Sequence, residues 1–257
     1  MARFGISCPT EIVFGAGASD TLIAQLPKQA RSIALVLGEQ GLAAQPISQN
    51  LQNTGANVHV VRCVGEPSVP SVNSAFEALR DAQVDVVVAC GGGSVMDMGK
   101  ALGFALSVGQ PIPENYADID ASSLGVPCSV PSILIPTTAG TGAEVTGNAV
   151  LDVPSQNAKV SLRGPAIFAQ RAIVDPDLMR AAPPHVVLNS GLDAVTQVIE
   201  AYTSNAATPF SDALTLSAIK PGLQALRAVM DDPSAQDWNT MAWTSLSSGL
   251  ALANGGL

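Results

Sequence analysis

Val86-Val87-Val88-Ala89-Cys90-Gly91-Gly92-Gly93-Ser94-Val95-Met96-Asp97-Met98-Gly99-Lys100 is an apolar, β-branched run that stops at three glycines and continues as a helix-compatible segment from Ser94. A short apolar run bounded by glycine reads as a buried strand, here Val84 to Cys90, and the segment fed by that strand, Ser94 to Leu106, reads as a helix. Such a junction sets bare backbone N–H groups and the positive end of a helix dipole at the carboxyl end of a strand, which suits a pyrophosphate. The glycines are expected to allow close backbone approach and positive φ. Ser94 is expected to cap the helix, with Asp97 completing a capping-box-like spacing. A second turn, Pro136-Thr137-Thr138-Ala139-Gly140-Thr141-Gly142-Ala143-Glu144, comes after the apolar Ile133-Leu134-Ile135. Its Thr137, Thr138 and Thr141 hydroxyls either contact a ligand or cap a helix starting at Gly142. Two glycine turns, each placed after a strand, point to a nucleotide cofactor.

Outward from these turns, strands and helices alternate. Ile33 to Leu37 reads as a strand, Leu42 to Leu51 as a helix, Val58 to Val61 as a strand, and Val69 to Ala82 as a helix with Val72, Phe76 and Leu79 on one stripe. The βαβαβα order implies a doubly wound, mostly parallel Rossmann-like sheet, whose ligands bind at the carboxyl ends of its strands. After Leu178 the strand signal ends, and Ala/Leu-rich helical patterns take over at Ser190–Ser204, Phe210–Met230 and Asp237–Ala253, with Asp231-Asp232-Pro233-Ser234 as a turn. The expected organisation is an α/β dinucleotide-binding domain over residues 1–180 and an all-α domain over 181–257. Gly15-Ala16-Gly17-Ala18 imitates the start of a GxGxxG fingerprint, but Asp20 breaks it, so the turn reads as structural.

Bulk composition narrows the class. Hydrophobic residues make up 47% of the 257 residues and charged ones 13%, which describes a packed globular chain. The net charge of −9, with no Lys/Arg cluster, excludes nucleic acid as a partner. No uncharged stretch approaches the length that spans a bilayer, and no signal peptide is read ahead of the first strand-like segment, so a cytoplasmic location is expected. Cys8, Cys63, Cys90 and Cys128 show no CxxC pattern and read as structural thiols.

The GGGSxxDxxK segment, the PTTAGTGxE-like turn, Ile173-Val174-Asp175-Pro176-Asp177-Leu178, Gly191 to Ala201 and Gly249 to Leu257 together resemble the iron-containing alcohol dehydrogenases. The resemblance spans nearly the whole chain. It implies an NAD(P)-dependent oxidoreductase that interconverts a small alcohol with its aldehyde or ketone by metal-assisted hydride transfer. It also implies that Gly92, Gly93 and Ser94 contact the cofactor phosphates, with Asp97 near the nicotinamide. Thr137, Thr138 and Thr141 would wrap adenosine and pyrophosphate, Lys159 would reach the nicotinamide ribose, and Leu178 would join the cofactor site. Lys159 read alone is equally a solvated strand-edge lysine. Family members that use NAD tend to hold an Asp after the first of these strands, where this chain has Gly38 and then Glu39, which leaves NAD and NADP both open.

The family's metal, Fe2+ or Zn2+, is held by an Asp and three His. Asp193 and Gln197 stand at i and i+4, on one helix face, as the expected ligands, with Gln197 in place of a His. Glutamine is the poorer ligand, and Asp193 alone would equally serve its helix dipole. His59 and His185 match no ligand position, and the remaining ligands would lie beyond Leu257. The resemblance therefore implies a chain truncated within its catalytic domain. Gln197 raises an alternative, a metal-independent reductase similar to those of maleylacetate, and a non-catalytic nucleotide-binding remnant is a further one. The dehydroquinate synthases share the fold's outline but need basic and His residues that this helical segment lacks. A homodimer paired through the strand near Thr10–Phe14 fits the resemblance as well.

Overall fold

The computed structural model describes residues 3–39, 42–116, 119, 121–233 and 236–255. The elements in order are β1 (Glu11–Phe14), α1 (Leu22–Gln25), β2 (Ser32–Gly38), α2 (Gln45–Gln52), β3 (Asn57–Cys63), α3 (Val69–Leu79), β4 (Val86–Gly91), α4 (Gly93–Val108), α5 (Ala121–Leu124) and β5 (Ser132–Pro136). They continue with β6 (Asn148–Val153), β7 (Ala158–Arg163), β8 (Arg171–Val174), α6 (Pro176–Met179), α7 (Pro184–Thr203), α8 (Pro209–Asp231) and α9 (Trp238–Gly255). A six-stranded sheet in the order β1-β8-β5-β4-β2-β3 is parallel throughout. β6 and β7 form a separate antiparallel ribbon. The strand near Thr10–Phe14 pairs inside the chain with β8 and leaves its outer edge open.

The central strands are buried on both faces, which is why they read as continuous Val/Ile/Leu runs and not as alternating ones. One face packs Val36, Val87, Ala89 and Leu134 against α3 and α4. The other packs Ile33, Leu35, Val88 and Ile135 against α1 and α2. A third cluster joins Val174 and Val145 to Leu226, Met241 and Leu246 of the α7–α9 bundle. Among the described residues no helix is long and apolar enough to cross a membrane. The turn expected at Asp231-Asp232-Pro233-Ser234 includes Ser234, which lies outside the described residues, as do Gly256 and Leu257.

Three local expectations need correction. None of Gly91, Gly92 and Gly93 takes a positive φ. At positions 91 and 93 glycine is required by packing, since a Cβ would lie 2.6 Å from Val95 and 2.9 Å from Thr141. Ser94 is not the cap: α4 begins one residue earlier, with Gly92 as an extended N-cap and no side chain bonded to the first turn. Asp97 reaches away from the helix start, to β6. The helix expected from Gly142 is only a 3-10 turn over Ala143–Val145, preceded by Gly142 at φ 62°.

Candidate cofactor cleft and its neighbours

The carboxyl ends of β2, β4 and β5 open into a cleft of about 320 Å³ lined by Gly38, Ala44, Gly91, Gly92, Val95, Thr137 and Thr138. Several features leave it rich in unused polar groups. With Gly92 as N-cap, the first amides of α4 have no side-chain acceptor. The Thr137 amide donates to Gly91 O at 2.9 Å, which fastens the second turn beside the first. The Thr137 and Thr138 hydroxyls find no partner among the described residues, so the reading of these side chains as backbone caps does not hold. Thr141 does act as one, accepting from the Ala143 amide at 3.3 Å. Gly38 ends β2 at the rim, and Glu39 is exposed beside it.

The other expected cofactor residues fall elsewhere. Asp97 accepts from the Val150 amide at 3.0 Å and pairs with Lys100 Nζ at 2.9 Å, tying α4 to the β6–β7 ribbon. Lys159, on β7, forms an ion pair with Glu66 after β3 and does not line the cleft. Leu178, on α6, is half-buried against the cluster of Ile33, Leu35 and Leu37. Asp175, which caps α6, also accepts from the amides of Gly17 and Ser19, so the Gly15–Ala18 turn has a structural anchor.

Lys100 and Glu144 stand out only in the structure. Lys100 is 2% exposed, and its ammonium donates to Ala143 O, to Asn148 O and to Asp97. Glu144 is 1% exposed and neither carboxylate oxygen accepts a hydrogen bond among the described residues. Burial pushes its pKa up to about 7, against the downward pull of Lys100. The i, i+3 spacing of Asp97 and Lys100 could have signalled the pair. Nothing local signals that Glu144 is enclosed.

On α7, Gln197 Nε2 donates to Asp193 Oδ2 at 3.0 Å, and Gln197 Oε1 accepts from the Ser248 hydroxyl of α9 at 3.0 Å. A carboxylate only accepts, so the amide nitrogen must face Asp193 and the oxygen must face Ser248. The Ser248 hydroxyl has one proton to give and also faces the Ser245 carbonyl at 2.7 Å, so Gln197 Oε1 shares that donor. Among the described residues no three His, Cys, Asp or Glu side chains converge as a metal site. Among the described residues, Asp193 and this glutamine do not by themselves make a metal site.

The family model for iron-containing alcohol dehydrogenases matches residues 9–176, and that for the C-terminal part of the Fe-containing alcohol dehydrogenase family matches residues 187–257. The long-chain-alcohol dehydrogenase 1 of Geobacillus thermodenitrificans is 35% identical over 250 residues, covering 95% of this chain and 62% of that protein. The NAD-dependent methanol dehydrogenase of Bacillus methanolicus is 30% identical over 255 residues, covering 97% and 66%. An iron-containing alcohol dehydrogenase structure from Thermococcus thioreducens superposes with a TM-score of 0.86 at 31% identity, over 98% of this chain and 68% of that one. The chain thus spans less than two thirds of the length of both curated relatives.

Proposed function

The chain belongs to the iron-containing alcohol dehydrogenase family, and from that premise we propose that it binds a nicotinamide dinucleotide, NAD or NADP, and serves hydride transfer between a small alcohol and its aldehyde or ketone. The observation that carries the reading is the cleft between the Gly91–Gly92 turn and the Thr137–Thr138 turn, at the carboxyl ends of parallel strands. In this reading the first amides of α4 receive the pyrophosphate, where the helix dipole favours negative charge. Thr137 and Thr138 supply hydroxyls to the same group, and Gly38 and Glu39 border the adenosine ribose. When bound, the cofactor supplies the hydride acceptor or donor. Residues up to about 180 would form the dinucleotide-binding domain, and the helices after it would cover the reacting end.

A second reading, metal-independent reduction of an unsaturated keto acid, is favoured by the engagement of Gln197 with Asp193 and Ser248. Both readings need the cleft. Substituting Gly92→Val places a branched side chain beside Thr138, where a Cβ already comes within 3.4 Å of Oγ1. Titration with NADH or NADPH, monitored by nicotinamide fluorescence, is expected to show saturable binding that this variant weakens by about tenfold or more, with its thermal transition kept. Equal binding by the variant would place the dinucleotide elsewhere.

A further inference from the structure

A second cleft, of about 560 Å³, opens between the β6–β7 ribbon and the end of α9, with Thr146, Asn148, Arg163, Phe168, Leu252 and Ala253 in its wall. Arg163 is the one charged residue in its lining, which holds no acidic side chain. Asn148 pairs with Arg163 across the ribbon, and Ser161 stands two residues before Arg163, so alternation sets all three on one face. Ala149, Leu151 and Leu162 take the opposite face, in the core. Ser161 Oγ accepts from Arg163 Nε at 3.0 Å and from Asn148 Nδ2 at 3.2 Å. One hydroxyl thus fixes both side chains. Only Nε of the guanidinium is used, so its terminal Nη fork keeps its donors, and among the described residues no carboxylate pairs with the cation.

The rest of the wall is apolar. A Cβ at Gly147 would overlap the Phe168 ring, so the bare backbone there seats the ring beside Asn148. Leu252 follows Ser248 by four residues, on the same face of α9, and Ser248 donates to Gln197. The cleft therefore opens one helical turn from the contacts of Asp193, Gln197 and Ser248. The segment from Thr137 to Thr146 joins the two clefts: Thr137 and Thr138 line the dinucleotide cleft, and Thr146 lines this one. A cavity with a single forked cation and an apolar wall fits a short aliphatic chain that ends in one anionic group.

We propose that Arg163, oriented by Ser161 and assisted by Asn148, is a carboxylate subsite that selects a small alcohol, or its aldehyde, bearing an acid group. The inference rests on the dinucleotide reading above and adds the substrate class. Arginine suits the task because its planar fork meets both carboxylate oxygens, and charge-assisted bonds of this kind exceed neutral ones in strength. Asn148 Nδ2 has a second proton to give to the same group.

Calorimetric titration of the 257-residue chain with 5-hydroxypentanoate and with 1,5-pentanediol, in the presence of NADH, tests the assignment, since the two probes differ in the acid group. The acid is expected to bind about tenfold more tightly than the diol, and R163Q is expected to remove that advantage while keeping the thermal transition and changing NADH affinity by no more than about twofold. R163K, which keeps a charge but not the fork, should retain part of the preference. The acid should also alter the nicotinamide fluorescence of bound NADH. Equal affinities for acid and diol would overturn the subsite while leaving the dinucleotide reading intact. A parallel loss of acid and NADH binding in R163Q would also overturn it, by assigning Arg163 to the fold or to the cofactor. Acid binding that leaves the emission of bound NADH unchanged would overturn its role as the hydride partner. Absence of NADH binding would overturn the dinucleotide reading, and the substrate role with it, even where the acid binds.

Discussion

Gln197 shows how one side chain changes what a helix face can do. The i, i+4 placement of Asp193 and Gln197 was legible from the helical period, since that spacing alone aligns them. Ser248 was not legible: it stands 51 residues further along and reaches Gln197 only because α9 packs on α7. Asp193, Gln197 and Ser248 thus lie in one line of contacts, with the Ser248 hydroxyl also held by the Ser245 carbonyl of its own helix. Gln197→Ala would take the amide donor from the half-buried Asp193, while Ser248 keeps the Ser245 carbonyl at 2.7 Å, so the cost is set by one partly exposed bond, about 1 kcal/mol. Urea unfolding is expected to show a loss of that size. Added Fe2+ or Zn2+, and EDTA, should leave the wild-type midpoint unmoved. A midpoint that rises with metal in the wild type but not in Asp193→Ala would instead assign Asp193 to coordination.

At the scale of elements, strand and helix identity came through in the pattern because buried parallel strands are continuous apolar runs and their covering helices keep a stripe. The turns between them were harder. Glycine suggests positive φ, yet at Gly91 and Gly93 it answers to the side chains of Val95 and Thr141, and such contacts depend on tertiary packing. The cap expected at Ser94 fails beside the same packing: Thr141 lies against Gly93, where the helix already starts, with Gly92 as its N-cap. Gly249 of α9 carries this logic furthest. A Cβ there would overlap the Gly142 carbonyl oxygen, so the bare backbones of the two glycines clamp the Thr137–Thr141 turn onto the helical bundle. In an exposed helix, Gly→Ala is favourable by up to about 1 kcal/mol. Here the overlap is with backbone, which cannot swing aside, and overpacking of that kind costs about 1–3 kcal/mol or more. Gly249→Ala is therefore expected to lower stability by roughly 2 kcal/mol net and to weaken NADPH binding several-fold, because the displaced turn carries Thr137 and Thr138. Unchanged stability together with unchanged affinity would show that the clamp yields without cost.

For the molecule as a whole, the decisive junction lies where α4, the β6–β7 ribbon and the 3-10 turn after Gly142 meet the last helix. Lys100 and Glu144 are both enclosed there, and only Lys100 is satisfied by hydrogen bonds. Burial pushes the Glu144 pKa up to about 7 in the folded chain, from an ordinary 4.5. Between those values the folded state keeps a proton that the unfolded state has released, so stability falls as pH rises through that window and levels off above it. At 1.36 kcal/mol per pH unit, ionising this buried group costs the folded state roughly 3 kcal/mol above that window. The net charge of −9 acts in the same direction, since acidification relieves self-repulsion, and the wild-type slope alone cannot separate the two. Glu144→Gln keeps the shape and removes the titration. Thermal unfolding from pH 5 to 8 should show the wild type losing stability with rising pH more steeply than the variant, the two curves separating most above pH 7 with the variant the more stable. Parallel curves would mean that Glu144 reaches solvent or a proton donor in the folded chain, and that the junction is open enough to admit water.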